Sequence, residues 1–442
     1  MHQAEAPKEI VLPVPVGFGS HTARVATKKR DKMAWLASLV FTRECSLKKE
    51  WVQLSYQRLS KVLGTRYAKE IIERSINSNI IVRNGFFKKG LTSFGYRIHD
   101  CLKDRGVAEH KVQDRVFLNR LRQIWMENEQ SRRGTWHPIH FEMHRRLQQF
   151  DIDENLAYQA ASSCISSDVD FDSSYNGQMI AIKRLKAKDD CVPLKVGTTG
   201  RVYTPICNMK KLVRYHLRAE GEKVSGFDIK ASQPTFFGLL LKFMHNPENS
   251  FLSEPEVIER AKDYGVEIPA IPVGFCSNHE VQNYISLIEG SDIYDFLVDE
   301  YRKVNYYSMS RSDMKTSLLR DVFAKKGGYK SEVEDVFRGC FPTVYHCVKQ
   351  INKGNYTNLI RLLQFIESEV VIHRVFSSLI GSSESPFAVL HDSIYAKRSD
   401  AKLVIDCFDS VSSDIGLGIR IDQESFEYKG ALMDISPEML KS

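Results

Sequence analysis

The sequence predicts an α+β protein with more than one domain, and three observations indicate this class. The chain has 442 residues, which is longer than a single hydrophobic core usually supports. Residues 1–190 show mainly helical patterns with one β-hairpin pattern. After about residue 190, short apolar strand patterns alternate with helical patterns, which is typical of an α+β or α/β unit.

The composition excludes several classes of protein. Hydrophobic residues make up 43% and charged residues 26% of the chain, as in ordinary globular proteins. No apolar run approaches the roughly 20 residues that span a bilayer, and the N-terminus does not resemble a signal peptide, so we expect no membrane partner. The nine cysteines are scattered and include no CxxC pair, which favours reduced thiols, a cytoplasmic location and no zinc module.

The net charge of +7 is distributed unevenly. Residues 1–100 contain 18 Lys and Arg against 8 Asp and Glu, a balance of +10, whereas the remaining 342 residues contain 44 against 47, a balance of −3. A basic front end on a near-neutral body indicates contact with a polyanion. A solvated basic surface without a partner is the alternative.

The front end divides into an arm and a small domain. Residues 1–32 are rich in Pro, Gly and basic residues, and we expect a flexible basic arm. Residues 33–104 contain two helical patterns, "EWVQLSYQRLSKVLG" and "TRYAKEIIERSINSN", followed by the hairpin pattern "IIVRNGFFKKGLTSFGYRIHD". This order predicts a winged helix-turn-helix. Its second helix could enter a major groove while the hairpin touches phosphates, although many winged helices only join proteins.

The basic residues of this predicted domain that we expect to contact nucleic acid are Arg66, Lys69, Lys88 and Lys89, with Arg74, Arg83 and Arg97 nearby. Residues 105–190 are predicted to be a helical, thumb-like region, with breaks at "RRGTWHPIH" and "DVDFDSSYNG". Residues 191–442 form the predicted α+β unit, with a helical insertion at about 236–360.

Two aspartates follow apolar strand patterns in the α+β unit. Asp228 lies in "KVSGFDIKASQPTFFGLLL" and Asp392 in "FAVLHDSIYAK". Taken singly, each is more simply a turn residue or a helix N-cap. On adjacent strand ends, however, two carboxylates can jointly hold two divalent ions about 3.5–4 Å apart for phosphoryl transfer. Mg²⁺ suits such a site because it accepts one or two carboxylates plus substrate phosphates.

A helical segment between these aspartates has four residues at intervals of four, namely Arg311, Lys315, Leu319 and Phe323 in "SMSRSDMKTSLLRDVFAKKGGY". Two cations followed by two apolar groups on one face could grip a triphosphate and stack on a base. The alternative is an amphipathic helix with a solvated basic end.

The order of these segments resembles motifs A, B and C of family A DNA polymerases and of the related single-subunit phage RNA polymerases. Three further segments are similar to segments of that family, "TTGRVYTPICNMKKLVR", "GSDIYDFL" and "QFIESEVVIHRVF", and the resemblance covers about residues 190–435. It implies a polymerase right-hand palm with an antiparallel sheet and helical fingers, in which Arg201 contacts the minor groove or template and Arg214 lies near the active site.

The resemblance also implies roles for the site residues. Asp228 and Asp392 would bind two Mg²⁺ ions, with Mn²⁺ as a substitute, and the ions would activate the primer 3′-hydroxyl and neutralise the triphosphate. Arg311 and Lys315 would hold the triphosphate, and Lys315 would protonate pyrophosphate. Phe323 would stack on a base, and His391 would donate a hydrogen bond beside the primer terminus.

The chain departs from the family at positions that bear on the choice of sugar. Ser393 stands where the DNA polymerases have an acid and the single-subunit RNA polymerases have Ser, and Gln233 stands where the DNA polymerases have a Glu that helps to exclude a 2′-hydroxyl. Phe323 stands where both groups usually have Tyr, and Leu319 where an aromatic is usual. A phenol can bond a 2′-hydroxyl, and a site built on that bond discriminates strongly. Because Phe323 lacks it and Gln233 retains bulk, we expect dNTP incorporation.

The sequence therefore predicts a DNA-directed DNA polymerase of a phage- or plasmid-type replicon that acts on primed DNA with nucleoside triphosphates. No Asp-x-Glu exonuclease motif lies in residues 1–190, so we expect no proofreading. One alternative is an RNA polymerase or primase on the same palm. Another is a non-catalytic, DNA-binding replication initiator or regulator.

Overall fold

The computed structural model describes residues 6–47, 50–85, 93–103, 106–163, 171–187, 192–245, 247–269, 279–305 and 307–424. The strands in this part of the chain are β1 Val11–Pro15, β2 Val52–Gln53, β3 Ile81–Arg83, β4 Gly95–Ile98, β5 Val107–Lys111, β6 Phe150–Ile152, β7 Lys195–Val196, β8 Val202–Tyr203, β9 Leu217–Ala219, β10 Glu222–Ile229, β11 Phe387–Leu390, β12 Ser393–Lys397 and β13 Ile421–Gln423.

The α-helices of the described residues are α1 Phe18–Thr22, α2 Thr27–Leu47, α3 Tyr56–Leu63, α4 Thr65–Asn77, α5 Asp100–Lys103, α6 Arg115–Arg133, α7 Pro138–Leu147, α8 Glu154–Ser163, α9 Phe171–Lys186, α10 Lys211–Arg214, α11 Ser232–His245, α12 Pro255–Asp263, α13 His279–Gly290, α14 Ile293–Val304, α15 Arg311–Ser317, α16 Glu332–Cys340, α17 Pro342–Ile351, α18 Asn358–Ser368, α19 Ser377–Ser382 and α20 Ala401–Asp414. In the segments described, none of these helices has the length and apolar character needed to cross a bilayer.

The front end is a small α+β body. Helices α2, α3 and α4 pack beside a three-stranded antiparallel sheet of order β2-β4-β3. Helix α3 begins where the side chain of Ser55 accepts a hydrogen bond from the Arg58 amide, which satisfies one of the unpaired donors of the first turn. Gly64, at φ 91°, separates α3 from α4, and its lack of a Cβ permits this tight corner.

The N-terminal residues differ from the flexible arm expected from the sequence. Strand β1 pairs antiparallel with β5 along its whole length, and α2 already begins at Thr27. The high Pro, Gly and basic content suggested exposed chain, but Val14 and Phe18 are each only 2% exposed in the front-end core. Burial of these two side chains outweighs the local composition.

The α+β body is built on a six-stranded antiparallel sheet of order β11-β12-β10-β9-β6, with β13 also paired to β10. The fold class expected from the sequence, α+β with an antiparallel sheet, is therefore observed. Strand β6 lies in the region predicted to be a helical thumb, yet it joins this sheet through β9. Three residues of strand have no local signal strong enough to predict a pairing partner that is distant in sequence.

Two α-helices of the α+β body continue as π-helices. Helix α15 continues as a π-helix over Leu318–Phe323, and α18 continues as a π-helix over Glu369–Phe376 before α19. Wide turns of this kind are uncommon and occur frequently at functional sites. Because each turn contains more residues than an α-turn, side chains beyond the transition face directions that regular α-helical spacing does not predict.

Candidate active site

Asp228 and Asp392 lie together on neighbouring strands of the sheet. Asp228 is near the end of β10, directly opposite Ser393, the first residue of β12. Asp392 is in the tight turn between β11 and β12, and its carbonyl oxygen accepts a hydrogen bond from the Ile229 amide at 3.1 Å. The Ser393 hydroxyl donates to Oδ1 of Asp228. Two strand ends thus bring together carboxylates that are far apart in the sequence.

The pKa of Asp228 shows how closely these groups interact. Burial, followed by the negative charge of Asp392, raises the pKa of Asp228 from 3.8 to about 6, whereas the Ser393 hydroxyl and the more distant charge of Lys315 lower it. Glu424, which follows β13, adds a smaller repulsion. A site in which neighbouring negative charges raise the pKa of a buried carboxyl attracts cations.

These carboxylates fit a divalent cation better than a structural metal. Within the described ranges there is no group of three or more His, Cys, Asp or Glu side chains placed to hold a metal ion. Two carboxylates at adjacent strand ends instead provide hard oxygen ligands, which suit a divalent cation that completes its coordination with substrate phosphates and water. The repulsion that raises the pKa of Asp228 would be relieved by such an ion.

His391 precedes Asp392 in a strained conformation. Its φ of 56° is one of four positive values recorded for non-glycine residues in the described chain, and such strain at a turn has to be held in place by surrounding contacts. The ring of Tyr203 packs edge-on against the imidazole with centroids 5.4 Å apart. Burial, followed by the charge of Arg201, lowers the pKa of His391, so the imidazole is neutral near pH 7.

Arg214 lies on the same side of the sheet. Its Nη1 donates to the Met209 carbonyl at 2.6 Å, and its guanidinium is 5.7 Å from the centroid of the Tyr395 ring. The Tyr395 hydroxyl donates to Glu424 at 3.0 Å, and Glu424 also pairs with Lys211 at 3.0 Å. Arg214 therefore contacts Tyr395 on β12, two residues along the strand from Ser393, which is paired with Asp228.

Arg201 and Gln233 are joined by a residue that the sequence analysis did not select. The Glu367 side chain on α18 is 1% exposed, and its Oε2 accepts from Arg201 Nη2 at 2.5 Å and from Gln233 Nε2 at 3.0 Å. Burial raises the pKa of Glu367 to about 8, although the neighbouring guanidinium opposes that rise. Its sequence signal was an acidic residue in the predicted helical segment "QFIESEVVIHRVF".

Gly200 explains how Arg201 reaches this cluster. Its φ is 79°, and a Cβ at this position would lie 3.2 Å from the Cβ of Ser368 and 3.3 Å from Tyr264. The β7–β8 hairpin can therefore approach α18 only through a glycine. This contact brings two segments of the predicted motif set, "TTGR" and "QFIES", directly against each other.

Arg311 and Lys315 occupy the exposed face of α15. Arg311 is bound by Asp292, the N-cap of α14, at 2.5 and 3.1 Å, and its guanidinium lies 5.2 Å from the Tyr294 ring centroid. Tyr294 is buried, and its pKa is raised by burial first, then by Asp292, with a smaller contribution from Asp392. One of the two cations of this helix, Arg311, is therefore already paired, and the charge of the other, Lys315, acts on Asp228.

Phe323 is not available to a base in this structure, which corrects the sequence expectation. The side chain is 0% exposed, and its ring packs edge-on against Phe237 and Phe337 at centroid distances of 5.3 and 6.2 Å. Leu319 is partly buried against the same core. The π-helical turns turn these two residues away from the face of Arg311 and Lys315, so the four positions do not form one stripe.

The front-end cations are less uniform than the sequence suggested. Arg66 and Lys69 are exposed on α4. Three others are neutralised in ion pairs, Arg74 with Glu70, Arg83 with Glu73 and Arg97 with Asp100. Lys88 and Lys89 lie outside the described residues.

Comparison with known proteins gives distant structural neighbours. No protein-family model matches the chain, and no curated protein matches it. A solved structure to which it is similar is the POL domain of Pol1 from M. smegmatis in complex with DNA primer-template and dNTP, with a TM-score of 0.32 and 10% sequence identity over 70% of this chain and 73% of that chain. Similarity at this level does not establish a shared activity.

Proposed function

We propose that the protein is a template-directed nucleotidyltransferase, specifically a DNA-directed DNA polymerase. The observation that carries the proposal is the pair formed by Asp228 and Asp392 on adjacent strand ends, with mutual repulsion that raises the pKa of Asp228. A purely structural role would leave this repulsion uncompensated, because burying charge near like charge is costly. A pair of carboxylates that holds two divalent ions can stabilise the attacking and leaving oxygens of a phosphoryl transfer.

Each neighbouring side chain has a role in this reaction. Bound Mg²⁺ would supply charge neutralisation and an activated primer hydroxyl. Lys315 approaches the triphosphate as a point charge and donates a proton to the departing pyrophosphate. Arg311 leaves its ion pair with Asp292 when the nucleotide binds, and its guanidinium then donates two parallel hydrogen bonds to phosphate oxygens. The neutral His391 offers a ring N–H beside the primer terminus.

The choice of sugar depends on Gln233 rather than on Phe323. Phe323 is buried and has no hydroxyl, so it cannot form a hydrogen bond with a 2′-hydroxyl. Gln233 lies at the start of α11, and its carboxamide is held by a hydrogen bond to Glu367. The side chain is therefore a fixed steric obstacle at the place where a 2′-hydroxyl would lie. These features favour deoxynucleotides.

The front end is proposed to be a winged-helix domain that binds DNA. The element order α2, β2, α3, α4, β3, β4 and the sheet order β2-β4-β3 support this assignment. Arg66 and Lys69 on α4 are suited to contact phosphates or base edges.

Primer extension tests the proposal. The full chain is incubated with Mg²⁺ and either dNTPs or rNTPs on primed and on unprimed templates, beside Asp228→Asn and the control Asp422→Asn. Deoxynucleotide incorporation on primed template, lost only in Asp228→Asn, is expected. Incorporation of ribonucleotides alone would favour an RNA polymerase or primase. DNA binding without any incorporation would refute catalysis and favour a DNA-binding initiator or regulator.

A further inference from the structure

A group of three cations, which lie outside the candidate active site, surrounds the first turn of α4. Lys32 on α2 is 6% exposed, and its Nζ lies 4.0 Å from the ring centroid of Tyr67, which belongs to that first turn. The Nζ of Lys28, one helical turn earlier, is 5.2 Å from the same centroid. Cations over an aromatic face are attracted by the ring, and among the described residues neither ammonium donates a hydrogen bond to a protein acceptor.

Arg120 on α6 completes the group. Its Nε and Nη2 donate to the Lys61 carbonyl at the end of α3, at 3.1 and 2.5 Å. Its Nη1 would be 3.7 Å from a Cβ at Gly64. The guanidinium is therefore anchored on one edge, and its other edge faces the corner from which α4 starts.

The start of α4 is itself open to an anion. Gly64 is the N-cap residue and provides no side-chain cap, and the first turn contains no acidic residue. The Tyr67 amide donates to the Gly64 carbonyl at 3.0 Å, whereas the amides of Thr65 and Arg66 and the positive end of the helix dipole favour a phosphate. The glycine also leaves vacant the space that a capping Ser or Asp would occupy.

The balance of charge around this corner is positive. Within the described residues, Lys28, Lys32 and Arg120 form no ion pair within 4.0 Å, and the charges of Lys28 and Arg120 both disfavour the ammonium of Lys32. The acid that acts on Lys32 is Asp114, whose carboxylate caps α6 by accepting from the Phe117 amide. One engaged carboxylate does not balance three cations, so Lys32, whose side chain is largely buried, has no counter-ion within 4.0 Å in the described part of the chain.

We propose that Lys28, Lys32 and Arg120, gathered around Tyr67 at the uncapped start of α4, bind the phosphodiester backbone of DNA. Arg66 and Lys69 extend the same side of α4, so a strand contacting them can continue to this corner. Small anions share the phosphate chemistry, but the continuity of cations along α2, α4 and α6 favours a polymer. The inference rests on the proposed role of the front end and is independent of nucleotidyl transfer.

Fluorescence anisotropy with the full chain and a labelled DNA duplex tests this site, in Mg²⁺-free buffer without nucleotides, over a range of salt. Lys32→Gln and Arg120→Gln are compared with Lys402→Gln, which makes the same charge change in an exposed ion pair on α20. Loss of one phosphate contact lowers the slope of log affinity against log salt by about one. Each site variant is expected to show this drop with a three- to tenfold weaker affinity, and the control to show neither.

Three outcomes separate the explanations. Wild-type protein that does not bind DNA would refute the proposed role of the front end. Wild-type binding with unchanged affinity and slope in all site variants would overturn the inference alone. For the third outcome, inorganic phosphate is titrated into the protein by calorimetry. If Lys32→Gln abolishes phosphate binding but leaves DNA affinity intact, the site at the start of α4 binds a small anion instead of DNA. Lys28→Gln and Arg120→Gln change exposed side chains, so they keep the test decisive if Lys32→Gln does not fold.

Discussion

Replacing Asp228 with Asn should abolish synthesis and, at the same time, stabilise the metal-free protein. In the folded state the pKa of Asp228 rises from 3.8 to about 6. At 1.36 kcal/mol for each pKa unit, this rise corresponds to about 3 kcal/mol of unfavourable charge above pH 6. Because water still reaches this half-buried group, we expect a gain of about 1–3 kcal/mol in the free energy of unfolding for Asp228→Asn. The Asn carboxamide oxygen can still accept from Ser393.

The sign of the pH dependence makes this prediction specific. A carboxyl with a raised folded pKa binds its proton more tightly in the folded state, so wild-type stability falls as pH rises from about 4 to about 6. The difference between variant and wild type should therefore be near zero at pH 4, grow up to pH 6 and stay constant above it. Urea denaturation in EDTA at several pH values measures it.

Asp422→Asn provides the matched control for this measurement. Asp422 pairs directly across from Asp228 in β13, but its side chain is 68% exposed and 3.7 Å from Lys230. Its removal should change the free energy of unfolding by less than about 0.5 kcal/mol at every pH. A loss of stability in Asp228→Asn, or a gain that does not vary between pH 4 and 6, would refute the reasoning.

Further predictions concern the surrounding residues. Asp392→Asn should lower the pKa of Asp228, seen as a smaller loss of stability between pH 4 and 6, and should reduce primer extension about a hundredfold or more while DNA affinity stays within twofold. Gly200→Ala should cost about 1–3 kcal/mol by denaturation, since φ is 79° and Ser368 is 3.2 Å away. Phe323→Ala should cost about 3–5 kcal/mol as a core residue, and an unchanged melting temperature would contradict its burial. Glu367→Gln should match wild type near pH 4 and lose less stability than wild type as the pH rises from about 4.5 to about 8, because the pKa of Glu367 rises from 4.5 to about 8 in the folded protein; an identical loss over this range would count against this.

The sequence was informative where one chain segment determines its own structure. Apolar runs that end in Asp228 and Asp392 predicted strands that stop at carboxylates, and both strands are present. The start of α11 near Gln233 and the helix from Arg311 were also predictable from local patterns. Such features depend on neighbours a few residues away, which a sequence displays directly.

Other features depend on contacts that no local pattern carries. The role of Glu367 arises from two partners, Arg201 and Gln233, that lie more than 130 residues away in the chain. The burial of Phe323 depends on a change of helical pitch, which the four-residue spacing concealed. Strands β1 and β6 are short and pair with distant partners, so tertiary packing overrides their weak intrinsic preference.

Helix α9 belongs to two hydrophobic cores at once. Ile180 packs in the front-end core, whereas Ala181, Ile182 and Leu185 pack beneath the large sheet. Neither body can rotate against the other without pulling these side chains out of one core. A duplex held by α4 would then lie at a constant distance from Asp228 and Asp392. The protein would therefore fix how many base pairs separate the bound segment from the first added nucleotide.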